Sequence, residues 1–205
     1  MEYTINIKGR LMDLSTPQVM GILNVTPDSF YSGSRKQTEM EIAQRANQII
    51  EEGGSIIDVG AFSTRPGADE VSEEEEGRRL KFALDIVRRE QPDAAVSVDT
   101  YRPTLARKCI EEWGADIIND VSEGGITGIV NVPLEQRQEE YPEMFRVVGE
   151  LKVPYILMSV QPTLETMMKG FAREVQQLRD LGAKDIILDP GFCFGKNLIQ
   201  NYQIY

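Results

Sequence analysis

Residues 20–31 read MGILNVTPDSFY. Met20, Ile22, Leu23 and Val25 around Gly21 have the composition of a buried β-strand. From Asn24 the stretch turns abruptly polar, through Thr26, Pro27, Asp28 and Ser29. A core strand that ends in so many hydrogen-bonding groups is either an ordinary exit into a loop or the floor of a site.

The pattern recurs along the chain, as SIIDVG at 55–60, AAVSVDT at 94–100, DIINDVS at 116–122, PYILMSV at 154–160 and DIILDPG at 185–191. Between these runs lie helical periodicities. In 38–54, Thr38 and Glu41 have capping-box spacing, and Ile42, Ala46, Ile49 and Ile50 share a face. Ser72 and Glu75 open a second helix with a Leu80, Ala83, Leu84 and Val87 stripe. Its EEEE run at 73–76 reads as an acidic first turn, which suits the helix dipole. Pro103 suits a first helical position, and segments 142–152 and 164–182 continue the alternation. Met167 and Met168 read as core filling, and Trp113 as packing at a helix end. Strand and helix in turn predict a parallel sheet with right-handed crossovers. Residues 3–14 alternate differently and predict a small hairpin ahead of the repeat. An open doubly wound sheet and a closed (β/α)8 barrel both fit, although no GxGxxG or P-loop follows a strand.

The chain has 205 residues, 41% hydrophobic and 27% charged, enough for one domain over 1–205 with a sizeable core. No run is long and apolar enough to span a bilayer, and the first residues lack a signal-peptide layout, which predicts a cytoplasmic protein without membrane partners. The net charge of −11 argues against a nucleic-acid surface. Cys109 and Cys193 form no CxxC pair. Histidine is absent altogether, which excludes Ser–His–Asp and Cys–His nucleophile systems and His-rich zinc sites. Chemistry must rest on carboxylates, amides, hydroxyls, Lys, Arg or an oxygen-bound metal.

The strand ends carry such groups: Asn24, then Ser63-Thr64-Arg65, Asp99, Asn119-Asp120 and Asp189. A single Asp after a strand is usually a cap or turn former. A carboxylate or amide at nearly every end points to one shared face, as in a barrel. Such groups could present donors and acceptors to a flat nitrogen heterocycle, and Arg65, before Pro66-Gly67, could fork onto a phosphate or carboxylate.

MGILNVTPDSF, IDVGAFSTRPGA, VSVDTYRP, IINDVS and ILDPGFCFGKN, in this order and spacing, resemble the motifs of the dihydropteroate synthase family, from about residue 19 onward. The resemblance implies a (β/α)8 TIM barrel that joins 6-hydroxymethyl-7,8-dihydropterin diphosphate to p-aminobenzoate, a transferase of folate biosynthesis and a sulfonamide target. It implies Mg²⁺ and the diphosphate at Asn24, and leaving-group contacts at Thr64 and Arg65. Asp99, Asn119 and Asp189 would hydrogen-bond the pterin, with Met158 as a pocket wall. Phe194, Gly195 and Lys196 would lie in the loop beside the aminobenzoate, Lys196 counted with Asn24, Thr64 and Arg65 as catalytic. A catalytically degenerate pterin-binding homologue and a pterin-dependent methyltransferase domain are the alternatives.

The chain departs from the family pattern in several places. About six βα units are visible, and the later Lys-x-x-Ser-Arg and Arg-x-His-Asp motifs are absent. A C-terminally shortened barrel with weak turnover on its own is therefore expected, and the family's habitual homodimer cannot be argued from this chain. Ser159 stands where the family usually has histidine, and the 123–141 loop is long.

Overall fold

Short β-branched runs alternate with longer segments of helical period, and the backbone follows suit. The computed structural model describes residues 3–25, 35–62, 71–124 and 141–205. The expected hairpin comes first, with β1 (Thr4–Ile7) antiparallel to β2 (Arg10–Asp13). The repeat then runs β3 (Met20–Asn24), α1 (Arg35–Glu51), β4 (Ile56–Gly60), α2 (Glu73–Glu90), β5 (Ala95–Asp99) and α3 (Pro103–Glu111). It continues with β6 (Ile117–Asp120), α4 (Glu143–Leu151), β7 (Tyr155–Met158), α5 (Leu164–Asp180), β8 (Ile186–Asp189) and α6 (Leu198–Ile204).

Strands β3 to β8 form one six-stranded parallel sheet in sequential order. A doubly wound sheet would reverse direction partway, so this order is that of a barrel wall. Successive side chains alternate between the two faces of a strand. Ile57, Val59, Val96 and Val98 pack on the helical side with Leu80, Leu84, Val87 and Leu105. Tyr155 and Leu157 do the same with Met144, Phe145 and Phe171. On the inner face Ile56, Ala95, Ile117 and Ile156 meet Ile5 and Ile7, so the hairpin closes the end at which the strands begin.

The two edge strands, β3 and β8, have one strand neighbour each among the described residues. Burial falls there: Ile22 is 56% and Leu188 46% exposed, whereas β4 is buried throughout. Arg45 donates from Nε to the Ile22 carbonyl at 3.2 Å, engaging the backbone of one edge strand.

Three local expectations change. Helix α1 begins at Arg35, so Thr38 lies inside it, 3% exposed, and is no cap; Arg35, Lys36 and Gln37 are good helix formers and extend the helix upstream. Ser72 does cap α2 through Glu75 N at 3.2 Å, but the Glu75 carboxylate turns to Arg78 and Arg79, so only half of that box forms. Met167 joins the core, whereas Met168 is 58% exposed.

One buried carboxylate ties four elements together. Asp116, 3% exposed at the entry to β6, accepts from Arg88 Nη2 at 2.5 Å and Val96 N at 2.8 Å, and pairs with Lys8 of the hairpin at 2.8 Å. Removing the carboxylate strands these donors, so Asp116→Ala is expected to cost about 2–4 kcal/mol of folding stability in urea titrations. Lys8 is largely exposed, and Lys8→Ala should cost less than about 1 kcal/mol.

Candidate active site

Parallel register builds the site. Asn24 stands opposite Gly60, Gly60 opposite Asp99 and Asp99 opposite Asn119, so one row across four strand ends reads Asn, Gly, Asp, Asn. The row beneath it holds Asp58 opposite Ser97, and on the far side Met158 stands opposite Asp189. All these residues share the strand phase of Ile56, Ala95, Ile117 and Ile156, so the inner face turns from apolar to polar along each strand.

Gly60 lets two side chains converge. A Cβ there would lie 3.0 Å from Asn24 Oδ1 and 3.3 Å from Asp99 Oδ2. Asn119 donates from Nδ2 to Asp58 Oδ2 at 3.2 Å, both residues being buried. Asp99 Oδ1 is shut off from solvent and accepts no hydrogen bond among the described residues. Such an acceptor is costly to leave unmade, which is how a site waiting for a donor looks.

Asp120 belongs to the other face. Its carboxylate accepts from Ser122 N and Gly124 N, each at 2.8 Å, from Ser122 Oγ at 2.5 Å and from Tyr155 Oη at 2.6 Å. It shapes the turn after β6 and has no capacity left for a ligand.

Thr64 and Arg65 lie outside the described residues, but the flanks of their segment do not. Phe62 meets Tyr101 edge-on, with ring centroids 5.1 Å apart. Arg102 sits over the Tyr101 ring, 5.0 Å from its centroid, and donates from Nη2 to Val71 O at 2.7 Å. Glu76, the last acid of the acidic first turn of α2, is fully buried, accepting from Thr100 Oγ1 at 2.7 Å and Arg102 Nε at 2.8 Å.

After β8, Asp189 Oδ1 accepts from Gly191 N at 2.8 Å. Lys196 is 8% exposed and donates to the carbonyls of Ser159 and Gly191, each at 3.0 Å, and of Phe194 at 3.3 Å. Phe194 is half-buried and Gly195 exposed. Ser159 is fully buried and accepts from Gln161 N at 3.2 Å.

The sequence profile of the family described as pterin binding enzyme matches residues 20–205. The chain is 36% identical over 212 residues to the dihydropteroate synthase of Escherichia coli K12, covering 96% of this chain and 69% of that protein. It is 35% identical over 224 residues to the mitochondrial folate synthesis bifunctional protein of Arabidopsis thaliana, covering all of this chain and 38% of the relative. Among solved structures, Xanthomonas albilineans dihydropteroate synthase with 4-aminobenzoic acid superposes with a TM-score of 0.80 at 30% identity, covering 100% of this chain and 72% of that one. The Yersinia pestis enzyme with a sulfonamide drug gives 0.76 at 33%, covering 98% and 72%. The chain belongs to the dihydropteroate synthase family.

The fold puts these aspartates in unequal environments. Burial holds the Asp99 carboxyl well above the usual carboxylate range, and the Asp58, Asp120 and Glu76 charges push the same way. Burial also raises Asp58, opposed by the nearby Ser97 hydroxyl and by the hydrogen bond from Asn119. Sequence reading overlooked Asp58. Its signal was the i, i+2 spacing to Gly60 within SIIDVG, in phase with Ser97 and Asp99 across the register. Among the described residues no three His, Cys, Asp or Glu side chains form a cluster able to hold a metal ion.

A carboxyl whose folded pKa is raised destabilises the fold progressively as pH rises from its ordinary value to the raised one. Asp99→Asn in this synthase-family chain is therefore expected to raise the ligand-free Tm at neutral pH by about 2–4 °C, the gain vanishing as pH falls through the raised Asp99 value towards 3.8; calorimetric scans across pH measure this. Gly60→Ala should leave the fold intact but push Asn24 and Asp99 apart, weakening pterin binding by about tenfold, measured by calorimetry.

Proposed function

We propose that this chain, as one pterin-binding domain over 1–205, performs the synthase chemistry of its family on 6-hydroxymethyl-7,8-dihydropterin diphosphate and p-aminobenzoate. The observation that carries the reading is the convergence of Asp99, Asn119 and Asp189, with Asp58 behind them, on the inner face at the carboxyl ends of four parallel strands. An aminopyrimidinone ring offers parallel N–H donors to carboxylates and an acceptor to an amide. Asp189 keeps lone pairs beyond the one that Gly191 uses, and the bare Asp99 Oδ1 lacks only a donor. A ligand without that donor pattern would leave buried acceptors unpaired, which is the basis of discrimination. Met158, fully buried opposite Asp189, supplies an apolar wall.

In the reaction the aromatic amine nitrogen bonds to the pterin methylene carbon as the carbon–oxygen bond to diphosphate breaks. The bonding electron pair leaves on the diphosphate oxygen, and the amine gives up one proton. The products are 7,8-dihydropteroate and pyrophosphate. An aromatic amine is already a nucleophile, so the absence of histidine is no obstacle. Stabilising the leaving group matters more than a general base. Thr64 and Arg65, which fall between Phe62, in contact with Tyr101, and Val71, whose carbonyl accepts from Arg102, are assigned to the diphosphate, and Phe194 and Gly195 to the aminobenzoate side.

The residues present fit a Mg²⁺ that arrives with the diphosphate. Asn24 offers one exposed amide oxygen at the end of β3, next to a carboxylate oxygen of Asp99 across Gly60, and Mg²⁺ typically takes one or two protein oxygens together with substrate phosphate and water. The ion would supply neutralisation of the departing diphosphate. Asn24 would orient it, and the Asp99–Asn119 side would keep the methylene carbon in line.

The test is calorimetric titration with 6-hydroxymethylpterin. The unaltered chain should bind, and Asp189→Ala should lose about 2–5 kcal/mol of binding free energy. Equal affinity in the variant would sink the pocket assignment.

A further inference from the structure

Lys196 is a buried cation in the turn that follows Asp189, yet its geometry does not suit a hand extended to substrate. An ammonium has three protons, and all three are taken: by Ser159 O at the end of β7, and by Gly191 O and Phe194 O in the turn after β8. The same turn is wound so that its carbonyls converge. Gly191, Cys193 and Gly195 have φ of +65°, +68° and +63°. Gly191 leaves no room for a side chain, since a Cβ would come 2.3 Å from Ser159 O and 3.2 Å from Lys196 Nζ. The glycine of DPGFCFGK is thus needed by the cage that its lysine fills.

We propose that Lys196 is a positioning residue whose caged ammonium fixes the turn after β8 against β7 and thereby aims the Asp189 carboxylate. The link is short: Lys196 holds Gly191 by its carbonyl, and Gly191 holds Asp189 by its amide, 2.8 Å from Oδ1. Burying a cation is costly unless it is compensated, and the carbonyl cage is supplemented by the Glu123 and Asp189 charges, which oppose the desolvation of Lys196. Glu123 is itself fully buried and accepts from Gln161 Nε2 at 3.1 Å and Val160 N at 3.3 Å, the two residues that follow Ser159. The end of β7, the turn after β6 and the turn after β8 are therefore braced as one unit under the pterin-facing surface.

This inference rests on the assignment of Asp189 to the pterin, and the experiment separates the two. The full chain, Lys196→Met, Lys196→Arg, Asp189→Asn and the Met/Asn double variant are titrated with 6-hydroxymethylpterin, and Gly191 amide exchange is followed by NMR without ligand. Lys196→Met is expected to weaken binding by about tenfold to a hundredfold and to speed Gly191 exchange, while the double variant binds no worse than Asp189→Asn alone. A planar guanidinium cannot converge on three carbonyls around one point, so Lys196→Arg should show the same changes in milder form; it decides the matter if the methionine variant fails to fold. Unchanged affinity and exchange in both Lys196 variants would overturn the proposal, and so would losses that multiply in the double variant. A direct contact between Lys196 and the reacting groups predicts lost turnover at unchanged pterin affinity, which would equally overturn it. Failure of the unaltered chain to bind pterin would refute the site, and Gly191 exchange alone would then decide the cage.

Discussion

The whole arrangement depends on register in a parallel sheet whose strands follow one another in order. Once Asn24 pairs with Gly60, Gly60 with Asp99 and Asp99 with Asn119, the period of two fixes everything below them. Two positions back along the strands must come Asp58, Ser97 and Ile117, then Ile56 and Ala95, and the residues between them must meet the helices. A slip of one residue in any strand would send a carboxylate into the helical layer and a valine into the pocket. The apolar packing on both faces therefore enforces the polar geometry of the site.

Polarity is graded along the inner face for the same reason. At the amino-terminal end the hairpin isoleucines close over Ile56, Ala95 and Ile117 and keep water out. At the carboxyl end the carboxylates of Asp58 and Asp99 sit in that low-dielectric surround, and burial lifts both above their usual range. Stability is sacrificed at the row that must recognise a ligand and is recovered elsewhere, at Asp116 and Asp120, whose lone pairs are well supplied with donors. The two kinds of aspartate look alike in sequence and differ in what surrounds them.

Much of the architecture was legible in the chain itself. The β-branched runs, the helical stripes and the hairpin at 3–14 all appear where their periodicities put them, because backbone preference and burial pattern agree there. Five motifs in order pointed to the family. Helix starts were less legible: Thr38 has the chemistry of a cap, but the propensity of the residues before it carried α1 three positions further upstream. Glu76 reads as one acid in a run of four, and nothing local distinguishes it; only the approach of Thr100 and Arg102 from the next unit makes it a buried anchor.

By itself, then, the sequence determined which residue types stand at the strand ends, how often strand and helix alternate, and that carboxylates and amides rather than histidine are what those ends offer. Those are properties of near neighbours in the chain. Tertiary structure alone decided which carboxylates face inward, that Asp58 joins Asn119 while Asp120 turns away to Tyr155, and that the ammonium of Lys196 is enclosed by three carbonyls. Asp58 and Asn119, Asp120 and Tyr155, and Lys196 and Ser159 are pairs 35 or more residues apart brought within about 3 Å. Cross-strand register sets such distances, and no short stretch of sequence contains it.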